Sequence, residues 1–153
     1  MLSTTVDRVP AHTPDRYNEM IRQQIRENVE IHAALGPRAI GMRLRELDRE
    51  WDIERLLEAN AATIALIGLG LGAFLDRRFL LLPAAVATFL LQHALQGWCP
   101  PVPLFRSLGV RTASEIDEER YALKALRGDF EDVPVSLHHQ TNGVEGALQA
   151  ASR

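Results

Sequence analysis

The chain has 153 residues, a formal net charge of −3 and a mean hydropathy of −0.09. That length allows one domain, or one membrane unit with polar flanks, and the acidic balance excludes the basic field on which nucleic-acid binding depends. A single cysteine, Cys99, excludes an intrachain disulfide.

Residues 1–12 lack hydrophobic periodicity, hold Pro10 and carry no apolar signal-peptide core, so the expectation is a flexible arm. Residues 13–52 read as a cytoplasmic pair of amphipathic helices. Thr13-Pro14-Asp15 supplies an N-cap, a first-turn proline and a first-turn acid. Tyr17, Ile21, Ile25, Val29 and His32 then recur every four residues, with Met20 and Leu35 widening the stripe, until Gly36-Pro37 stops the helix. The opposite face carries Arg22, Arg26, Glu27 and Glu30, a mixture of signs that favours docking on a neighbour over lying on a membrane surface. The second helix is expected from Pro37 to about Trp51, with Ile40, Leu44, Leu47 and Trp51 on one face and Arg43, Arg45, Glu46, Arg49 and Glu50 on the other.

Residues 53–100 form the organising stretch. Asp52 is an N-cap with Glu54 in the first turn behind it. The seventeen residues Ala59–Leu75 carry no formal charge, and after Asp76, Arg77 and Arg78 neither do the twenty-seven residues Phe79–Phe105, with His93 neutral. A bilayer core of roughly 30 Å needs about 20 apolar residues at ~1.5 Å rise each, so the two runs read as a transmembrane helical hairpin. The fold class is therefore all-α. The competing account, the buried core of a soluble helical bundle, requires a polar stripe that Ile64–Leu75 and Phe79–Leu91 lack. Gly68 and Gly72 form a small-xxx-small pair, and Ala84 and Thr88 give the second helix a matching small surface; the two helices pack on each other, or the glycines serve a homo-oligomer. Pro83 fits a first turn, which leaves Phe79–Leu82 in the turn or in a kinked start.

Arg43, Arg45, Arg49 and Arg55 precede the hairpin and Arg106 and Arg111 follow it, against Arg77 and Arg78 in the turn; the positive-inside rule then puts both ends in the cytoplasm, with Trp98 at the interface. In 101–128, Cys99-Pro100-Pro101-Val102-Pro103 reads as a stiff extended exit, followed by a capping box at Thr112-Ala113-Ser114-Glu115 and a helix over 113–127 that Gly128 closes. Residues 129–153 show no sustained period and read as a disordered tail.

Folding the hairpin about Arg77 brings Glu58 and Asn60 level with His93 and Gln96, a polar cluster at the cytoplasmic boundary with Cys99 just beyond. A hydrogen-bonded clasp between the helices accounts for it without catalysis; the competing reading is a thiol at Cys99 with His93 as its base. No cofactor or metal motif is present, and GLGLG at 68–72 lies within an apolar run rather than after a strand.

The hairpin ending in GWCPPVPLFRSLGV, with ELDREWDIERLLEANAA before it and RTASEIDEERYALKALRGDF after it, resembles the small bacterial inner-membrane domain of the YgaP type over about residues 47–130. The resemblance implies a two-helix membrane architecture in the bacterial inner membrane. Some members of that family are fused to a rhodanese domain and handle sulfane sulfur, which would make Cys99 a sulfur acceptor, although this chain has no room for a rhodanese in its first 50 residues. The expectation is a non-catalytic anchor, scaffold or accessory subunit in contact with lipid and with other membrane subunits. A membrane-bound thiol protein is the alternative.

Overall fold

The computed structural model describes residues 8–131 and 147–148. Among them there is no strand. Six α-helices are present: α1 (Asp15–Leu35), α2 (Pro37–Leu47), α3 (Ile53–Phe74), α4 (Leu81–Gln96), α5 (Val102–Ser107) and α6 (Ala113–Arg127), with short 3-10 turns at Pro10–His12 and Arg77–Leu80. The expected disordered tail lies outside the described residues except for 129–131 and 147–148, as do residues 1–7 of the expected arm.

The chain divides into two compact units, residues 8–23 with 51–116 and residues 24–50 with 117–131. In the second unit Glu119 of α6 is fully buried and accepts from Arg43 Nε of α2 at 2.7 Å and from Asn28 Nδ2 of α1 at 3.3 Å. Charge-assisted bonds of this kind fix relative helix register, since only one placement satisfies the buried carboxylate. Arg43, read from the sequence as part of a solvated face, is thereby half-buried. Ile25, Ile40, Leu44, Leu47 and Leu123 supply the apolar core positions of this unit.

Helix α2 ends at Leu47, short of the expected Trp51. A turn at Asp48 and Arg49 frees Asp52 to take extended geometry and to accept from Arg55 N at 2.7 Å as the N-cap of α3. Trp51 consequently leaves the α2 face, and its ring lies 4.3 Å from the Arg55 guanidinium.

In the first unit α3 and α4 lie side by side, with positions rising along α3 as they fall along α4. A Cβ at Gly68 would stand 2.6 Å from Cδ of Pro83, and one at Gly72 would stand 2.5 Å from Cδ2 of Leu80. Both glycines are therefore sites of close approach, whereas Gly70 has nothing within 4 Å. The surface facing α3 near the turn is Leu80 of the 3-10 segment with Leu82 and Pro83 of α4. Ala84 and Thr88, expected to meet the glycines, are exposed, because a helix that starts at Leu81 turns them away from α3. Asp76 accepts from Arg78 N at 2.8 Å and starts the 3-10 turn, which takes up Phe79 and Leu80.

The exit after α4 is not extended. Gly97 closes α4 in the left-handed region (φ 77°), and Pro101 and Pro103 sit at the start of helix α5. Proline's fixed φ and missing N–H suit a first helical turn as well as they suit a polyproline segment, so the same residues serve either structure. At α6 Thr112 Oγ1 accepts from Glu115 N at 3.2 Å, Glu115 Oε2 accepts from Thr112 N at 2.8 Å, and Gly128 follows with φ 86°.

Candidate functional site

The polar residues of the first unit gather where α3 begins and α4 ends. Glu54 Oε1 accepts from Arg8 Nη2 at 2.7 Å, and Glu54 Oε2 accepts from His93 Nε2 at 2.8 Å. Arg8 also donates to the carbonyl of Ala94 at 3.3 Å. Residues 8–12 are thus not a loose arm. Val9 is 1% exposed within the apolar cluster of Ile53, Leu57, Cys99 and Val102, Thr13 donates its hydroxyl to the Val9 carbonyl at 2.8 Å, and a Cβ at Gly97 would collide with the Arg8 carbonyl. Glycine at position 97 satisfies two demands at once, positive φ and backbone contact.

The membership of this cluster differs from the expectation. Glu58, Asn60 and Gln96 are exposed, and His93 is buried against Glu54, one turn before Glu58. The 3-10 turn accounts for only a small part of the offset: its four residues, at about 2.0 Å of rise each against 1.5 Å in an α-helix, shift the second helix by about 2 Å, and the long Glu54 and His93 side chains span the rest. Arg8 carried no local signal of its role, being one charge in an aperiodic segment.

Nδ1 of His93 is buried with no hydrogen-bond partner, so that nitrogen does not serve the Cys99 thiol. Cys99 is 5% exposed, and burial pushes its thiol pKa up from the ordinary 9.0. A nucleophilic cysteine requires the opposite shift. The described residues contain no group of three or more His, Cys, Asp or Glu side chains placed to hold a metal ion.

Beside the ionic cluster lies a cavity of about 170 Å³ between the second and third turns of α3 and the middle of α4, bounded at one end by Cys99, Pro100 and Pro101. Ala61 and Ile64 face Val86 and Phe89 across it, and Asn60 and Cys99 are its polar members.

A second buried ionic group holds the segment after α5. Arg106 is fully buried and reaches Glu115 through Nη1 at 2.6 Å and Nη2 at 2.7 Å, Asn18 Oδ1 at 2.9 Å and the Val110 carbonyl at 3.1 Å. Burial alone would raise the Glu115 carboxyl pKa, but the Arg106 guanidinium and the Thr112 amide outweigh it and the net shift is downward. In sequence Arg106 counted only as a charge flanking a hydrophobic run. The signal that could have found it is Glu115, whose capping-box carboxylate sits nine positions on.

Two helices, Ile53–Phe74 with 22 residues and Arg77–Gln96 with 20, are long and apolar enough to cross a membrane. Comparison with family models, with curated proteins and with solved structures finds no match to this chain.

Proposed function

We propose that the protein is a two-pass membrane protein whose α3–α4 pair is a transmembrane hairpin, and that it serves as a non-catalytic anchor or accessory subunit presenting helices on one side of the bilayer. The observation that carries this reading is exposure. Only 22% of the apolar window in the first long helix and 6% of that in the second is buried within the protein, whereas the core helix of a soluble protein is mostly buried. Leu66, Phe74, Leu75, Leu81 and Leu91 are each more than 60% exposed. An apolar surface of that extent on a soluble monomer would drive association.

The polar details agree with a lipid setting. Thr63 and Thr88, both exposed, return their hydroxyls to the carbonyls of Ala59 and Ala84 at 2.7 and 2.9 Å, which leaves no hydroxyl unsatisfied toward hydrocarbon. The Arg8–Glu54–His93 group falls at one end of the pair and Asp76, Arg77 and Arg78 at the other, the two depths at which a bilayer tolerates charge. The Arg-rich flanks favour a cytoplasmic location for residues 8–52 and 98–131, with the turn on the far side of an inner membrane. The sulfur-handling alternative is disfavoured by the buried Cys99 thiol.

The test is carbonate extraction of membranes from cells expressing the protein, followed by labelling of a cysteine placed at Arg77 in a Cys99→Ala background with an impermeant maleimide. Retention in the washed membrane with labelling of intact cells is expected. Release into the carbonate supernatant overturns the spanning reading, and labelling only after the cells are opened reverses the orientation.

A further inference from the structure

We propose that the cavity between α3 and α4 is a binding site for one acyl chain of a membrane phospholipid, held with its ester end beside Asn60. The inference rests on the membrane reading above and adds a ligand to it.

The cavity is a groove of about 170 Å³, half open to the outer surface of the two helices, and its aliphatic and aromatic lining suits hydrocarbon rather than water. Its walls, Ala61, Ile64, Val86 and Phe89, offer no partner to water, and an empty void forfeits the dispersion contacts of every atom that lines it. Both Asn60 and Phe89 are also exposed, so the rim is continuous with the outer apolar surface of the two helices. In a bilayer that surface is already covered by acyl chains, and a chain moving from the surface into the groove leaves hydrocarbon for hydrocarbon while gaining wall contacts on more than one side. No transfer from water enters the balance.

The depth of the polar group fixes the orientation. Asn60 lies one turn deeper than Leu56 and one turn shallower than Ile64, about 6 Å of rise to each side. The ionic group at Glu54 marks the aqueous boundary, so the Asn60 amide stands at the level of ester carbonyls rather than of methyl ends. A primary amide there donates to an ester carbonyl and leaves the methylenes to Ile64 and Phe89. Cys99, the second polar member, is a weak donor that behaves as a small apolar group and imposes no charge on the occupant.

The experiment uses the full chain in phosphatidylcholine vesicles doped with phosphatidylcholine that carries a diazirine on one acyl chain. After photolysis, the labelled residues are mapped by mass spectrometry. Saturable labelling confined to peptides spanning 57–64 and 86–101, reduced several-fold by Ala61→Phe, is the expected result. Val86→Phe narrows the cavity from the α4 side at a half-buried position and gives the same loss if Ala61→Phe perturbs helix packing. Labelling spread evenly along both helices and unchanged in the two variants overturns the site, while resistance of the same vesicles to carbonate keeps the membrane reading standing. Release of the protein by carbonate removes the membrane reading and the lipid site together.

Discussion

Glu54 on the first turn of α3 and His93 on the last turn of α4 stand 2.8 Å apart although 39 residues separate them in sequence. Their bond closes the open end of the two-helix pair, opposite the 3-10 turn at Arg77–Leu80, and Arg8 completes it from the arm. The carboxylate therefore meets one cationic partner and one imidazole at the end of the pair where no covalent connection holds the helices together.

Glu54→Gln is expected to loosen that end. The substitution leaves the Arg8 guanidinium without its counter-charge and His93 with a weaker acceptor. Because the Glu54 side chain is 32% exposed, solvent offsets part of the loss, and a cost of about 1–3 kcal/mol is expected. Thermal unfolding in detergent micelles, followed by circular dichroism, reads it. An unchanged melting temperature would show that the cluster contributes nothing to helix association.

The glycines of α3 separate by neighbour. Gly68→Ala drives a Cβ to 2.6 Å from the Pro83 ring, which cannot rotate away, and a loss of about 1–3 kcal/mol is expected. Gly72→Ala meets Leu80 at Cδ2 (2.5 Å), Cγ (2.8 Å) and the backbone nitrogen (3.3 Å), which a change of rotamer relieves only in part, so it is destabilising too. Gly70→Ala meets nothing and gains up to about 1 kcal/mol of helix propensity. A melting temperature for Gly70→Ala above those of both Gly68→Ala and Gly72→Ala is the readout; a Gly70→Ala variant as damaged as Gly68→Ala contradicts the packing.

Glu115 makes stability depend on acid. Its carboxyl titrates below the ordinary 4.5 in the folded protein, so its contribution is fully present above that value and is lost as pH falls through the lower, folded value. Glu115→Gln should flatten the acid limb of the stability profile below about pH 4.5 and leave the neutral limb parallel to wild type. Arg106→Lys should weaken the same limb, because an ammonium cannot reproduce the two parallel bonds to the carboxylate. Superimposable acid limbs for wild type and Glu115→Gln would refute the role.

Cys99 should react slowly. With its thiol shifted upward from 9.0 by burial, the thiolate at neutral pH is scarcer than in a free thiol, and modification by N-ethylmaleimide should lag behind that of glutathione and reach its rate only after unfolding. Fast modification of the folded protein at pH 7 would reinstate the thiol chemistry that its burial argues against.

Local rules made much of this protein readable from its sequence. The charge-free runs, Asp52 as an N-cap, the break at Gly36-Pro37 and the reciprocal Thr112–Glu115 cap each depend on residues within one or two turns of each other, so spacing and residue type suffice to find them. The glycines that approach α4 were legible for the same reason, since a period of four places them on one face of α3. Tertiary structure decided which charges are buried. Arg8, Arg43 and Arg106 look alike in sequence, and they are distinguished only by Glu54, Glu119 and Glu115, the first two of which lie 46 and 76 residues away. It also chose Glu54 over Glu58 as the partner of His93 and helix over extended chain at Pro101–Pro103. For Arg8, Arg43 and the Glu54–His93 pair both local choices were allowed, and the deciding energy came from contacts between elements remote in sequence, where desolvating a charge is tolerated only if its partner arrives with it.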